Sequence, residues 1–252
     1  MGTPVIISEI KYNDFVKRFV ACVLIFCFLT IPQAARAHDQ WPGLSAALSI
    51  VVPGLGQVKN GDHLEGLVWF SSVAGAVLFG GRLGQSIGFD LWMYQVYDAY
   101  RDEGPHSGRF QKHNVFENYL GNFNPLNFVD PISAPIVSVG IYSGKNQGTL
   151  GKSFHPRNIL KYSFVGLGEE GLFRGFLYPA MTDVFFGSTV VGAIVSSAIF
   201  GLVHFQYNMG QRAWVAGLGL LWCIQTSYMD YDLRRSIFSH SWYDIFVAPA
   251  YD

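Results

Sequence analysis

A long stretch almost without formal charge constrains this chain more than any other feature of its sequence. Between Phe176 and Gln211, histidines aside, Asp183 is the one charged residue. The chain has 252 residues, of which 50% are hydrophobic and only 14% are charged, whereas soluble domains are about 25% charged. A membrane-spanning helix needs about 20 mainly apolar residues. The sequence therefore predicts an all-α membrane protein.

Three adjacent apolar runs in the second half of the chain extend this prediction. We expect membrane-spanning helices close to Tyr162–Ala180, Val184–His204 and Ala213–Met229, and hence a polytopic transmembrane helical bundle. The net charge is −1 and no block of lysine or arginine is present. We therefore expect membrane lipid, and not nucleic acid, among the partners of the chain.

Residues 1–37 have the pattern of an export signal. Lys11, Lys17 and Arg18 precede the short apolar run Phe19–Ile31, and Ala35-Arg36-Ala37 then supplies an A-x-A cleavage site. We predict a cleaved signal peptide, because the apolar run is short for a membrane span. The alternative is an uncleaved N-terminal anchor. A signal of this bacterial style predicts a multi-pass protein of the bacterial inner membrane.

Composition divides the rest of the chain into three sections. Residues 42–100 are apolar and glycine-rich, residues 101–127 form a polar connector, and residues 128–252 are apolar again. The polar connector is predicted to be solvated or interfacial, with short amphipathic pieces. The third section is predicted to be the functional domain.

The first section contains the turn sequence Pro53-Gly54-Leu55-Gly56-Gln57 between two apolar runs. This pattern predicts a hairpin of two membrane helices joined by a tight turn. Glycines recur at positions 80, 84 and 88, a spacing that lets helices approach closely in lipid. The section resembles an uncharacterised class of bacterial membrane hairpins with a PGxGQ turn and a downstream Tyr-Asp-Ala-Tyr, here Tyr97–Tyr100. We predict a packing module, with a binding function for Gln57 or Asp62 as the alternative.

The third section places ionisable residues in apolar helices, where they are costly and point to function by default. Glu170 and Arg174 lie four residues apart, so one stands above the other on a helix. Glu169 lies about 100° around the same helix. We therefore expect Glu170 to pair with Arg174 while Glu169 stays available for chemistry.

Two further pairs lie in the following helices, also at a spacing of four residues. His204 follows Phe200, and Asp244 follows His240. Peptide hydrolysis needs a base to activate water, donors for the developing oxyanion and an acid for the leaving amine. Buried carboxylates and histidines can supply these groups without a serine or cysteine nucleophile. Phe200 is expected to pack and not to react.

Three short motifs thus occur in order on successive apolar helices. They are Glu169-Glu170-x-x-Phe173-Arg174-Gly175-x-Leu177-x-Pro179, Phe200-x-x-x-His204 and His240-x-x-x-Asp244. This set resembles the motifs of the CPBP family of intramembrane proteases, over about residues 156–247. That family includes the type II CAAX prenyl endopeptidases and the bacterial Abi, or bacteriocin-processing and immunity, proteins.

The resemblance implies a helical intramembrane endopeptidase whose site lies inside the bundle. Carried over by position, it implies water activation by Glu169 with His204, oxyanion support by His240 with Asp244, and bracing of the site by Glu170 with Arg174. We predict no metal, because no HExxH helix is present. If Zn²⁺ is bound, its ligands would be Glu169, His204 and His240.

Two other classes of function compete with the peptidase. A non-catalytic membrane scaffold or immunity protein could retain the same residues as a polar core. A transporter or channel could use them as a proton relay, although no inverted repeat relates the two halves of the chain. For the peptidase, the expected substrate is a peptide or a membrane protein, and its identity stays open.

Overall fold

The computed structural model describes residues 43–103, 110, 113–152 and 154–248. All regular secondary structure in these residues is helical, which confirms the all-α prediction. Within the same residues, no helix combines the length and the apolar character needed to cross a membrane. The predicted signal peptide, residues 1–37, lies outside the described part of the chain.

The helices are numbered here in chain order over the described residues. The α-helices are α1 Leu44–Val51, α2 Leu55–Asn60, α3 His63–Phe79, α4 Gly81–Arg101, α5 Val115–Leu120, α6 Ser133–Gln147, α7 Pro156–Glu170, α8 Tyr178–Val184, α9 Thr189–Val203, α10 Met209–Tyr228 and α11 Arg234–Val247. Three segments have other helical forms: the 3₁₀ turns Gly121–Phe123 and Pro125–Phe128, and the π-helical segment Gly171–Leu177.

The PGxGQ sequence forms more than the tight turn that we predicted. The short helix α2 stands between α1 and α3, and glycines with positive φ angles, Gly54 at 85° and Gly61 at 99°, flank it. Because glycine lacks a Cβ atom, it reaches these left-handed conformations at little cost. The predicted close approach of α3 and α4 is confirmed: a Cβ atom on Gly84 would lie 2.4 Å from the carbonyl oxygen of Ala76.

Helix α4 lies at the centre of the molecule, against α1, α3, α7 and the π-helical segment. Its second half is buried and carries the large aromatic side chains of the Tyr-Asp-Ala-Tyr sequence. The ring of Tyr100 meets that of Phe176 edge to face at 5.1 Å. A Cβ atom on Gly175 would lie 2.3 Å from the ring of Tyr97. The first and third sections therefore share one hydrophobic core.

The described residues 113–127 of the polar connector pack against the body of the molecule. Helix α5 begins at a capping box in which Asn114 and Glu117 satisfy each other's main-chain N–H groups. Asn118 is buried and donates to the hydroxyl of Tyr94 at 2.6 Å, and Asn122 donates to the main chain of Ser163 at 3.3 Å. The amide side chains hold this segment against α4 and α7 because buried polar groups need partners.

The first predicted span, Tyr162–Ala180, lies within a longer run in which α7, the π-helical segment and α8 follow without a break. Pro179 near the start of α8 cannot donate a main-chain hydrogen bond, and a π-helical turn is one way for a helix to accommodate such a defect. Helix α9 then begins at the capping residue Ser188. Helix α11 packs between α6 and α7, which brings its polar residues to the end of α7.

Candidate active site

Glu170, the last residue of α7, is completely buried and joins two of the three motifs. Its Oε1 atom accepts a hydrogen bond from Nδ1 of His240 at 2.7 Å. The same oxygen lies 3.2 Å from Nη1 of Arg174, and both partners are almost wholly buried. The predicted Glu170–Arg174 pair is thus present, and Glu170 also orients the imidazole of His240.

The other nitrogen of His240 faces the two remaining carboxylates of the motifs. Its Nε2 atom lies 3.5 Å from Glu169 Oε2 and 3.8 Å from Asp244 Oδ2. The side chains of Glu169 and Asp244 are 20% and 26% exposed, whereas that of His240 is only 4% exposed. One imidazole therefore connects a buried glutamate to two carboxylates that solvent can reach.

Aromatic rings hold the imidazole and the guanidinium in place. Trp222 stacks on His240 with ring centroids 4.0 Å apart and an angle of 14° between the planes. Trp222 is itself anchored by a hydrogen bond from Nε1 to Ser239 Oγ at 3.1 Å. The guanidinium carbon of Arg174 lies 4.3 Å from the ring centroid of Phe200. These contacts stabilise positive charge in a place that water barely reaches.

Phe200 separates the two histidines of the site. Its ring meets both imidazoles edge to face, with ring centroids 4.8 Å apart for His204 and 5.9 Å apart for His240. His204 follows the last residue of α9, and its Nδ1 atom donates to the carbonyl of Phe200 at 2.7 Å. Among the described residues, His204 makes no hydrogen bond or ion pair with Glu169 or His240. Glu169, His204 and His240, the ligands expected only if Zn²⁺ is bound, are not among the described groups whose ligand atoms lie within 4.8 Å of one another.

Two residues of this region were not identified as candidate functional residues from the sequence. Trp222 is one aromatic residue among many in apolar helices, and nothing in its sequence context marks it. Asp90 does carry a signal, because it is an acidic residue within the apolar sequence Phe89-Asp90-Leu91-Trp92. It is only 3% exposed, and its Oδ2 atom has no hydrogen-bond partner. Its electrostatic neighbours include Glu169 and Asp244.

A second acidic cluster lies in the first section, away from the motifs. The carboxylate oxygens of three residues lie within 4.8 Å of one another: Glu65, Asp98 and Asp102. Asp98 already accepts hydrogen bonds from Gln57 Nε2, Trp69 Nε1 and Arg101 Nη2, at 2.8 to 3.1 Å. The cluster thus connects the PGxGQ turn to the Tyr-Asp-Ala-Tyr sequence, and both oxygens of its central carboxylate, Asp98, accept hydrogen bonds from the protein.

All residues of the three motifs lie in one segment of the chain. Residues 154–246 match the family model of the type II CAAX prenyl endopeptidases, Rce1-like. The match confirms the predicted resemblance and covers a little over a third of the chain. Asp90 lies outside the Rce1-like segment, in the first section. Searches of curated proteins and of solved structures found no significant match.

Proposed function

We propose that this chain is an intramembrane endopeptidase that hydrolyses a peptide bond with a water molecule activated by glutamate. The Rce1-like match supports a CAAX-type endopeptidase as the broad class. One observation carries the proposal further: the His240 imidazole is hydrogen-bonded to the buried Glu170, while its other nitrogen faces Glu169 and Asp244. The proposed base, Glu169, and the proposed proton donor, His240, therefore lie next to each other at a place that solvent can reach.

In the proposed reaction Glu169 takes a proton from water, and the resulting hydroxide attacks the carbonyl carbon of the substrate. The oxyanion that forms is stabilised by the Nε2–H group of His240, which Glu170 keeps oriented through Nδ1. Collapse of this intermediate breaks the C–N bond, and the proton held by Glu169 passes to the leaving amine. The oxygen of the water ends in the new carboxyl group, so atoms and charge balance.

His204 and Asp244 complete the proposed machinery. Because Nδ1 of His204 donates to the Phe200 carbonyl, Nε2 is the ring nitrogen available to a substrate or a water molecule. Asp244 lies beside Nε2 of His240 and favours the protonated imidazole. The proposed reaction uses groups of the protein itself and needs no metal.

A membrane location is part of the proposal. Large apolar side chains are exposed along α3, among them Leu64, Leu67, Leu78 and Phe79. Exposed apolar surfaces of this extent favour contact with lipid or with a partner. The apolar composition and the Rce1-like match both support lipid. The proposed substrate is accordingly a peptide or a segment of a membrane protein.

The test compares the wild-type protein with the Glu169→Ala, His204→Ala and His240→Ala variants. Each protein is purified in detergent and assayed on a library of quenched-fluorescence peptides, with and without a strong zinc chelator. We expect wild-type cleavage to survive the chelator and each variant to lose at least about 100-fold in rate, as is typical when a general base or an oxyanion donor is removed. Thermal unfolding checks that each variant is folded.

Other outcomes point to other functions. Cleavage retained by Glu169→Ala would exclude the proposed base, and loss of wild-type cleavage on chelation would assign the same residues to a metal. No cleavage by the wild-type protein would favour the non-catalytic scaffold or immunity protein, for which the buried Glu170–Arg174–His240 group is a plain structural core.

A further inference from the structure

Trp222 lies where α10 meets the active site, and its ring covers one face of the His240 imidazole. The two ring centroids are 4.0 Å apart, and the angle between the ring planes is 14°. Glu170 binds Nδ1 of His240, but a hydrogen bond weakens steeply only when its angle falls below about 120°, so this bond alone permits the ring to tilt. The stacked indole limits the tilt, because a tilted imidazole would collide with it.

Ser239 on α11 anchors the indole. The Nε1 atom of Trp222 donates a hydrogen bond to Ser239 Oγ at 3.1 Å. Ser239 is completely buried, and it directly precedes His240 in the chain. The polar edge of the indole is thus bound to the same helix that carries the imidazole under its apolar face. A shift of Trp222 along α11 would leave a buried N–H group without a partner, which costs free energy.

Gln225 fixes the direction of the Ser239 hydroxyl. Ser239 Oγ donates to Gln225 Oε1 at 2.9 Å, and the carbonyl of Ser236 is a more distant acceptor at 3.3 Å. Because the hydroxyl has one proton, its donation to Gln225 leaves the lone pairs of Oγ for the N–H group of Trp222. Gln225 in turn donates from Nε2 to Ser133 Oγ on α6 at 2.9 Å. One chain of hydrogen bonds between buried side chains therefore runs from α6 through α10 and α11 to the indole.

We propose that Trp222 is a positioning residue of the active site, which acts through His240 and is anchored by Ser239. This inference rests on the proposed endopeptidase function and adds to it residues outside the three motifs. Nε2 of His240 is the proposed oxyanion donor, and the direction of its N–H group follows the plane of the ring. Trp222 is only 1% exposed, so its effect belongs to the chemical step and not to substrate binding.

The first experiment makes the same substitution at two buried tryptophans. Trp222→Phe keeps an aromatic ring but removes the N–H group that binds Ser239. The matched control is Trp69→Phe, because Trp69 is also buried and donates from Nε1 to Asp98 at 2.9 Å, in the acidic cluster away from the motifs. We expect Trp222→Phe to lower kcat by about tenfold to a hundredfold with little change in KM, since misplaced catalytic groups cost rates of this order. Trp69→Phe is expected to keep the wild-type kcat.

A second experiment tests the anchor with a double-mutant cycle. Ser239→Ala leaves the indole in the protein but removes its acceptor, and it is expected to lower kcat in the wild-type background. In the Trp222→Phe background the same substitution is expected to have no further effect on kcat, because the N–H group that Ser239 binds is already absent. If Ser239→Ala lowers kcat by the same factor in both backgrounds, Ser239 does not act through Trp222 and the proposed anchor is overturned.

A third measurement does not depend on activity. The face of a stacked indole shields the ring protons of the imidazole, so the Cε1–H resonance of His240 is expected upfield in the NMR spectrum of protein with ¹³C-labelled histidines. The resonance is identified by its loss in His240→Ala. We expect it to move downfield in Trp222→Phe and in Ser239→Ala, and to stay in place in Trp69→Phe. Thermal unfolding checks that each variant is folded.

The outcomes distinguish this inference from the proposed function. If the wild-type protein cleaves and Trp222→Phe keeps the wild-type kcat, or changes KM alone, the inference is overturned and the function stands. If Trp222→Phe does not fold, the kcat of Ser239→Ala decides in the same way. If the wild-type protein cleaves no peptide, the proposed function fails, and the His240 resonance decides whether Trp222 positions the imidazole. An unchanged resonance in both variants overturns that positioning, and a downfield shift supports it.

Discussion

At the scale of single residues, two adjacent glutamates have different surroundings. Glu170 is fully buried, and one of its oxygens faces both His240 and Arg174. Glu169 is partly exposed and approaches His240 from the other side. Successive residues of a helix point about 100° apart, so one glutamate faces the core while the next reaches the opening of the site. This difference in surroundings fits the proposed division, in which Glu170 braces the site and Glu169 takes part in the chemistry.

This difference predicts opposite effects for the same substitution at the two positions. Glu170→Gln removes the partner of the buried Arg174, and breaking a buried ion pair in this way costs about 3–5 kcal/mol. Its Tm is expected to fall by at least about 6 °C, given roughly 2–4 °C per kcal/mol for a chain of this size. Glu169→Gln is expected to leave Tm equal to or above that of the wild type while abolishing cleavage.

The measurement is thermal unfolding in detergent, with the peptide assay run on the same samples. Each glutamate serves as the matched control for the other, because the substitutions are chemically identical and lie one residue apart. Equal Tm values for the two variants would show that the buried ion pair does not stabilise the fold. A large loss of Tm in Glu169→Gln would contradict the partial exposure of that side chain.

At the scale of secondary structure, the contact between α4 and α7 brings the first section next to the helix that carries Glu169 and Glu170. The two helices meet at Gly168, where a side chain would collide with the main chain of Asp90. The π-helical segment then follows directly after Glu170, within a run that continues into α8. Such segments are common at functional sites. Here it carries Arg174 close enough to pair with Glu170.

A pair of glycine substitutions tests the importance of this contact. In Gly168→Ala the new methyl group would lie 2.5 Å from a main-chain oxygen, so α4 and α7 must separate. We expect the free energy of unfolding to fall by about 1–3 kcal/mol, which is typical of overpacking. We also expect the rate of peptide cleavage to fall by more than the loss of folded protein explains. The readouts are thermal unfolding and the peptide assay.

Gly217→Ala, in the middle of α10, is the matched control for that prediction. A Cβ atom at position 217 would meet nothing within 4 Å. Alanine is the better helix former by about 0.5–1 kcal/mol, so this variant is expected to be slightly more stable than the wild type and fully active. If Gly168→Ala behaves in the same way, close helix contact at this point is not required for the site.

At the scale of the whole molecule, the Rce1-like segment shares its main hydrophobic core with the first section. Tyr97 and Tyr100 of α4 pack against Gly175 and Phe176 of the π-helical segment. The two sections share one large cluster of buried side chains. The sequence predicts a packing module, and in the structure this section packs against the helices that carry the proposed site.

This shared core predicts that residues 128–252 will not fold without the first section. Removing α4 exposes the buried side chains of the π-helical segment to solvent, at about 25 cal/mol for each Å² of apolar surface. We expect residues 128–252 expressed alone to aggregate and to show no cooperative unfolding. The control lacks only residues 1–37, the predicted signal, and is expected to unfold cooperatively. A soluble, cooperatively unfolding fragment would show that the two sections are independent.

Much of the site could be predicted because its residues form pairs with a spacing of four residues on single helices. The spacing of four residues correctly paired Glu170 with Arg174 and His204 with Phe200. The predicted partnership of Glu169 with His204 concerned two different helices, and in the structure Phe200 lies beside His204 while Glu169 faces His240. Spacing along a helix predicts neighbours on that helix only. Contacts between residues of different helices depend on how the helices pack, so the spacing did not predict them.

The sequence by itself determined the helical class, the three motifs and the family that they resemble, because apolar runs and i, i+4 spacings are local properties of a chain. The tertiary structure decided which carboxylates surround His240, that Trp222 stacks on it, and that the main chain of Asp90 meets Gly168. These contacts join residues far apart in the chain. They depend on how closely helices pack, which at Gly168 is set by the absence of a single side chain.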